Sequence, residues 1–267
     1  MEILNINNFT NIDQGIHKNI LNILSRIFSK KNGSLSCNKI LFINPPDGDE
    51  KMFNYTSAKS GRYTNFAPYG LGIISKHLES MGYETKILNL NHIILKKVEE
   101  LNEEEFDYKT IITDEIREEI EKFEPDLIGL TCMFSMTHKS LKKVSEIIKE
   151  IRNIPVAVGG VHTSNSIWNE NTRKQLVEDL DKIDLFFLFE AELSFSEFIN
   201  SINGQFKNYE SFKQLLIRDK DQSIFFSSRE RPEGEALNII PDHESMNSSE
   251  LSSYGKVGNF NFLINKK

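Results

Sequence analysis

Five short apolar runs recur along the middle of this chain, separated by stretches with helical periodicity. The runs are "KILFIN" (39–44), "YETKILNL" (83–90), "DLIGLTCM" (126–133), "IPVAVGG" (154–160) and "KIDLFFLFE" (182–190). Runs this short and this continuously apolar read as strands buried on both faces. Between them, "PYGLGIISKHLESMG" (68–82) sets Leu71, Ile74, Leu78 and Met81 at helical spacing, with Pro68 in the first turn and Gly82 as C-cap. "TDEIREEIEKFEPD" (113–126) reads as a helix capped by Thr113, and "KSLKKVSEIIKEIR" (139–152) and "ELSFSEFINSI" (192–202) read as two more. Residues 91–109 are polar and acidic and read as an irregular crossover. Parallel strands need long crossovers, and right-handed crossovers lay helices on both faces of the sheet. The expectation is an α/β fold with a doubly wound, five-stranded parallel sheet.

The flanks differ from this middle. Ile12, Ile16, Ile20, Ile23, Leu24 and Ile27 make 12–30 an amphipathic helix that can pack at home or face a partner, followed by a linker. After residue 206, "QLLIRDKDQSIFFSS" reads as a hairpin turning at Asp219–Gln222, and the polar remainder reads as a linker. The expected organisation is therefore 1–38, 39–206 and 207–267. At 267 residues, 39% of them hydrophobic, the chain can bury one sizeable core. No apolar run approaches the roughly 18–20 residues of a membrane span. A net charge of −7 argues against nucleic acid as a partner, and two cysteines, Cys37 and Cys132, fit a reducing compartment, the cytoplasm.

In an open parallel sheet, ligands bind outside the carboxyl ends of the strands. Those ends carry Asn44-Pro45-Pro46, Asn89 to Asn91, Thr131 to Ser135, Gly159 to Thr163 and Glu190 to Glu192. Small and hydroxyl-bearing groups dominate, which suits a large polar ligand better than acid–base catalysis. The glycine signature of a dinucleotide site does not follow the first strand, a phosphate-binding P-loop is missing, and the carboxylate cluster of a receiver domain is replaced by Asn44 and Thr131-Cys132. His138, His162, Cys132 and Glu190 could converge on a metal, yet no pair has the local spacing of a zinc site, and none is assigned. Cys132 reads as a small buried hydrophobe, and Trp168 with "FFLF" (186–189) as core. Of all these ends, "IPVAVGGVHTS" is the most pointed. A strand running into two glycines and an imidazole is either a tight turn or a loop that lets backbone approach a ligand.

The order of segments decides between these. "ILFINPP", "APYGLGIISKHLESMGYETKILNLN", "EPDLIGLTCMFS", "IPVAVGGVHTS" and "IDLFFLFEAELSFSEFI" resemble, in order and spacing, the N-terminal cobalamin-binding domain of cobalamin-dependent radical S-adenosylmethionine enzymes. The similarity covers about residues 39–206 and continues through the hairpin and "ALNIIPDHESM", which look like the linker to the radical barrel. It implies a Rossmann-like cobalamin-binding fold. It also implies that Gly159 and Gly160 let the strand end lie against the corrin or its tail, with Val161 and His162 beside them. Thr131 and Ser135, flanking Cys132, would offer hydroxyls to the tail. Tyr69, Gly70 and Leu71 would meet the corrin or its amides, and Pro45, Glu190 and Glu192 would complete the site. The D-x-H-x-x-G motif that carries a cobalt-ligating histidine is absent, so His162 is expected to orient its loop by hydrogen bonding and the cofactor to bind base-off.

The chain also departs from that pattern. The usual G-E-x-E after the fifth strand is Phe189-Glu190-Ala191-Glu192, and a common aspartate after the second is Asn89. The C-x-x-x-C-x-x-C run that holds an iron–sulfur cluster is missing, and "NFNFLINKK" looks like the strand just before it. The resemblance then implies a chain that is not catalytic alone. An iron–sulfur cluster and S-adenosylmethionine would come from a separate barrel chain, for methyl transfer performed with it. The competing reading is a cofactor-free interaction module that keeps the fold.

Overall fold

The computed structural model describes residues 2–6, 14–28, 30–31, 34–204, 212–231, 233–234, 238–241 and 243–256. The chain begins with β1 (Glu2–Ile6), α1 (Gln14–Ile27) and two short strands, β2 (Lys30–Lys31) and β3 (Ser34–Leu35). There follow β4 (Lys39–Asn44), α2 (Tyr55–Lys59), α3 (Tyr69–Ser80), β5 (Glu84–Asn89), α4 (Leu90–Glu100) and α5 (Tyr108–Phe123). Next come β6 (Leu127–Thr131), α6 (His138–Ile151), β7 (Val156–Gly159), α7 (Val161–Trp168), α8 (Glu170–Asp179), β8 (Leu185–Phe187) and α9 (Glu192–Asn203). The hairpin β9 (Leu215–Ile217) and β10 (Gln222–Phe226) closes the series.

The five apolar runs form the expected parallel sheet, in the order β5-β4-β6-β7-β8. The chain starts at β4, steps outward to β5 and then crosses back to β6. The direction of winding reverses between β4 and β6, the place where doubly wound folds open a crevice. The strand count is the difference from expectation. The hairpin continues the sheet, with β9 antiparallel to β8 (Leu185 opposite Ile217), and β1 adds an eighth strand parallel to β10. These pairings join distant segments, which local pattern does not encode.

Alternation within each strand sorts the core into two layers. Leu41, Ile43, Ile128, Leu130, Val156, Val158 and Phe186 point to the face covered by α4 to α8. Ile40, Phe42, Leu127, Ala157, Leu185 and Phe187 point to the face covered by α1, α3 and α9. The N-terminal amphipathic helix packs at home, burying Ile20, Ile23, Leu24 and Phe28 there. Its expected ends at residues 12–13 and 29, like the expected strand at 259–267, lie outside the described residues. The C-terminal segment folds back onto α3. Met246 is fully buried, and a Cβ on Gly72 would sit 2.5 Å from its Sδ. Among the described residues no helix is long and apolar enough to cross a membrane.

Two helices begin where local chemistry, not hydrophobic period, places them. Residues 90–100 are helical, not irregular: the Asn89 side chain caps α4 by accepting from His92 N at 3.2 Å, and Leu90, Ile94, Leu95 and Val98 are buried. Helix α5 starts at Tyr108 because Asp107, and not Thr113, is its cap. Asp107 Oδ1 accepts from Thr110 N at 2.6 Å. Asp107→Ala should lower stability by about 1 kcal/mol in urea unfolding with the slope unchanged; an unchanged midpoint would show that the cap contributes nothing.

Candidate functional site

The sheet face under α3 and α9 would be tightly filled were it not for two small residues in its central strands. In register across β4, β6 and β7 stand Phe42, Gly129 and Ala157. A Cβ on Gly129 would sit 2.7 Å from the Phe42 ring. The Phe42 ring fills the space over Gly129, and beside it a cavity of about 660 Å³ opens at the carboxyl ends of the strands. That is the size range of small-molecule sites. Its depth is apolar: Phe42 and Phe187 from the sheet, Leu71 and Ile74 from α3, and Phe195 from α9. The Phe195 ring lies between the other two, 5.8 Å from Phe42 and 4.7 Å from Phe187.

Two residues further along each strand, on the same face, the lining turns polar. Asn44, Thr131 and Gly159 border the slot, with Ser164 and Asn165 from α7 and Glu190 and Glu192 leading into α9. Asn44 Nδ2 donates to Asn89 Oδ1 at 2.9 Å, tying β4 to β5 at the switch point. Asp47 sits at the mouth, where burial pushes its carboxyl up against the hydrogen bond from Thr64 Oγ1, 3.1 Å away. Around the opening stand large apolar side chains in water: Phe66, Tyr69, Met133, Phe134 and Val161 are each about half exposed. A contiguous apolar rim of this kind marks a binding surface.

The glycines of the fourth strand divide their roles. A Cβ on Gly159 would meet only Phe187 O, at 3.6 Å, so this residue opens onto the cavity. Gly160 has φ +105°, and a Cβ there would lie 2.5 Å from Cys132 O. Its close backbone approach is to the chain itself, since His162 N donates to that same carbonyl at 3.1 Å. The β7–α7 loop is thereby pinned to the end of β6.

Of the residues expected at the site, Tyr69, Gly70, Leu71, Thr131, Gly159, Gly160, Val161, Glu190 and Glu192 line the cavity. Pro45, Cys132, Ser135 and His162 lie off its wall. Cys132 points into the opposite core layer, where burial pushes its thiol up to about 12. His162 turns away and meets His138, Nε2 to Nδ1 at 3.2 Å, and His138 Nε2 meets Asp179 Oδ2 at 2.6 Å. Hydrogen bonds from Lys142 and His138 hold the Asp179 carboxyl below its usual range, while burial and then His138 lower His162. The lining residues not singled out from sequence include Asp47, Phe66 and Asn165, while Phe189, noted as a departure and read with its neighbours as core, also lines the cavity. The signal for Asp47 was its place just past the Pro45-Pro46 stop.

Phe189 occupies the position where glycine is usual, and its backbone explains that usage: φ is +59°. A left-handed non-glycine residue costs about 1–2 kcal/mol. The ring is held in return by the Arg229 guanidinium, 3.9 Å from its centroid, and by the edge of Trp168 at 5.1 Å. Trp168, expected in the core, is instead 45% exposed. Arg229 also donates to Glu190 Oε2 at 3.2 Å. The Glu190 backbone N–H, and then Arg229, keep that carboxyl below its usual range despite partial burial.

Residues 61–178 match the family model of the B12 binding domain. Over 180 residues the chain is 28% identical to cytidylyl-2-hydroxyethylphosphonate methyltransferase of Streptomyces wedmorensis, an alignment covering 62% of this chain and 31% of that protein. The chain thus spans about a third of the length of that relative.

Proposed function

We propose that the protein binds cobalamin, base-off and without a histidine ligand, as the cofactor-holding part of a radical S-adenosylmethionine methyltransferase-type enzyme in the cytoplasm. The iron–sulfur cluster and S-adenosylmethionine would be held by residues outside those described, on a separate barrel chain. One observation carries the reading. A cavity of about 660 Å³ opens between sheet and helices beneath a wide apolar rim, at the switch point of a parallel sheet, with phenylalanine rings at its apolar end. That shape fits a ligand with a broad, mostly apolar ring system and a tail ending in an aromatic base.

In this reading Phe66, Tyr69, Met133, Phe134 and Val161 shield the macrocycle from water. Thr131 offers its hydroxyl to the tail, and the phenylalanine-lined slot takes the base. Glu190, Glu192 and Asp47 suit the hydrogens of peripheral carboxamides, because carboxylates only accept. When bound, cobalamin supplies a cobalt centre that can receive and pass on a methyl group. Among the described residues the cavity lining includes no histidine; at the rim, the His243 ring lies 6.0 Å from that of Tyr69.

Titration with hydroxocobalamin followed by desalting should leave corrin absorbance on the protein with a base-off spectrum; pigment that washes away overturns the reading. His162→Ala should leave that spectrum unchanged, and a shifted band would make His162 a ligand after all. The second reading, a cofactor-free interaction module, draws on Phe189 at the cavity wall and on the exposed rim. It takes the lead if corrin is not retained.

A further inference from the structure

We infer that the slot selects its ligand by the polarity of the buried base, accepting corrinoids with a benzimidazole or phenolic base and discriminating against those with a purine. The inference rests on the cobalamin reading above. Three phenylalanine rings, two aliphatic side chains from α3 and the small Gly129 and Ala157 make up the slot's depth. The strand backbone there is already committed to the ladder between β4, β6 and β7. No side chain at this level among the described residues offers a donor or an acceptor.

The nearest polar groups stand toward the mouth. Thr131 is two residues along β6 from Gly129, on the same face, and Glu192 is one helical turn before Phe195 on α9. A benzimidazole coming from the mouth has one free ring nitrogen, which the Thr131 hydroxyl can satisfy. A phenolic base attached through its oxygen has no polar atom left to satisfy. An adenine carries further ring nitrogens into a slot whose depth has no donor for them, and its exocyclic amine pairs only by reaching Glu192, whose Oε2 is buried without a partner. A buried polar group without a partner bears its full desolvation penalty. The aromatic walls stack on either kind of ring, so stacking does not offset the difference.

The test compares four corrinoids on the purified full chain by absorbance titration: cobalamin, the p-cresol-bearing cobamide, the adenine-bearing cobamide, and cobinamide, which has no base. Cobalamin and the cresol form should bind within about threefold of each other, and the adenine form at least about tenfold more weakly. Cobinamide should also be weaker than cobalamin, since it leaves the slot unfilled. An adenine form that binds as tightly as cobalamin overturns the inference while leaving the cobalamin reading intact. Equal binding of cobinamide and cobalamin overturns it too, by showing that the base is not in the slot. Failure of all four to bind removes the cobalamin reading and this inference together.

Discussion

Gly129→Val is expected to abolish cobalamin retention, weakening binding by at least about a hundredfold, while the chain still unfolds cooperatively. Gly129 lies in β6 between Phe42 and Ala157, and its first added carbon would already sit 2.7 Å from the Phe42 ring. The ring is the mobile partner in that contact. Ile40 and Leu127, buried in the same layer, limit its movement toward the amino ends of the strands, and Phe195 packs 5.8 Å from it on the cavity side. The valine γ-carbons occupy the same space from the other side. Valine suits a buried parallel strand, so the backbone should accept it. Overpacking costs about 1–3 kcal/mol in a filled core, and the open slot should hold the cost near the lower end. A hundredfold loss corresponds to about 3 kcal/mol of binding. Equilibrium dialysis with hydroxocobalamin, beside urea unfolding, separates the two effects. Undiminished binding in a folded variant would remove the slot from the site.

Gly160→Ala should damage stability and binding together, whereas its neighbour should not behave this way. The Gly160 backbone, at φ +105° and ψ 167°, lies in a region essentially reserved for glycine. An added methyl also meets the Cys132 carbonyl at 2.5 Å. Backbone strain and clash should together lower stability by about 3 kcal/mol, or the loop should move away from β6. Either outcome displaces Val161, Ser164 and Asn165, and corrin binding should fall with them. Gly159→Ala makes the contrast, since its methyl meets only an ordinary contact at 3.6 Å and otherwise enters the cavity. It should weaken binding several-fold with little change in the unfolding midpoint. If Gly160→Ala unfolds at the wild-type midpoint, the loop is not pinned as the structure shows it.

Local pattern carried the parallel half of this fold and little of the rest. Continuous apolar runs announced β4 to β8, and the spacing of Leu71, Ile74 and Leu78 announced α3. Helix α4 was hidden because Lys96, Lys97 and the acids after them mask the buried row from Leu90 to Val98, and because Asn89 reads as a loop residue until its cap is seen. The hairpin itself was legible, but its place in the sheet and the strand β1 were hidden for another reason: their partners lie far away in sequence. The site was legible as a place, at the strand ends, but not as a shape. Gly129 and Ala157 are unremarked small residues in apolar strands until register sets them side by side against Phe42. Gly160 showed that a glycine at a cavity wall can also serve the chain's own backbone. Phe189 looked like bulk lost into a ligand's space, yet Arg229 and Trp168 take its ring.

The pairing of β1 with β10 also has a bearing on how the chain is made. Glu2 is matched with Gln222 and Ile6 with Phe226, so β1 must wait for β10, 220 positions further along the chain, to gain its place. Pairings this remote form late. Until β9 emerges, the Leu185–Phe187 strand is a bare apolar edge, the kind that invites pairing with other chains. During synthesis the nascent chain therefore carries an open seam, and the hairpin that seals it gives the N-terminal strand its partner at the same time.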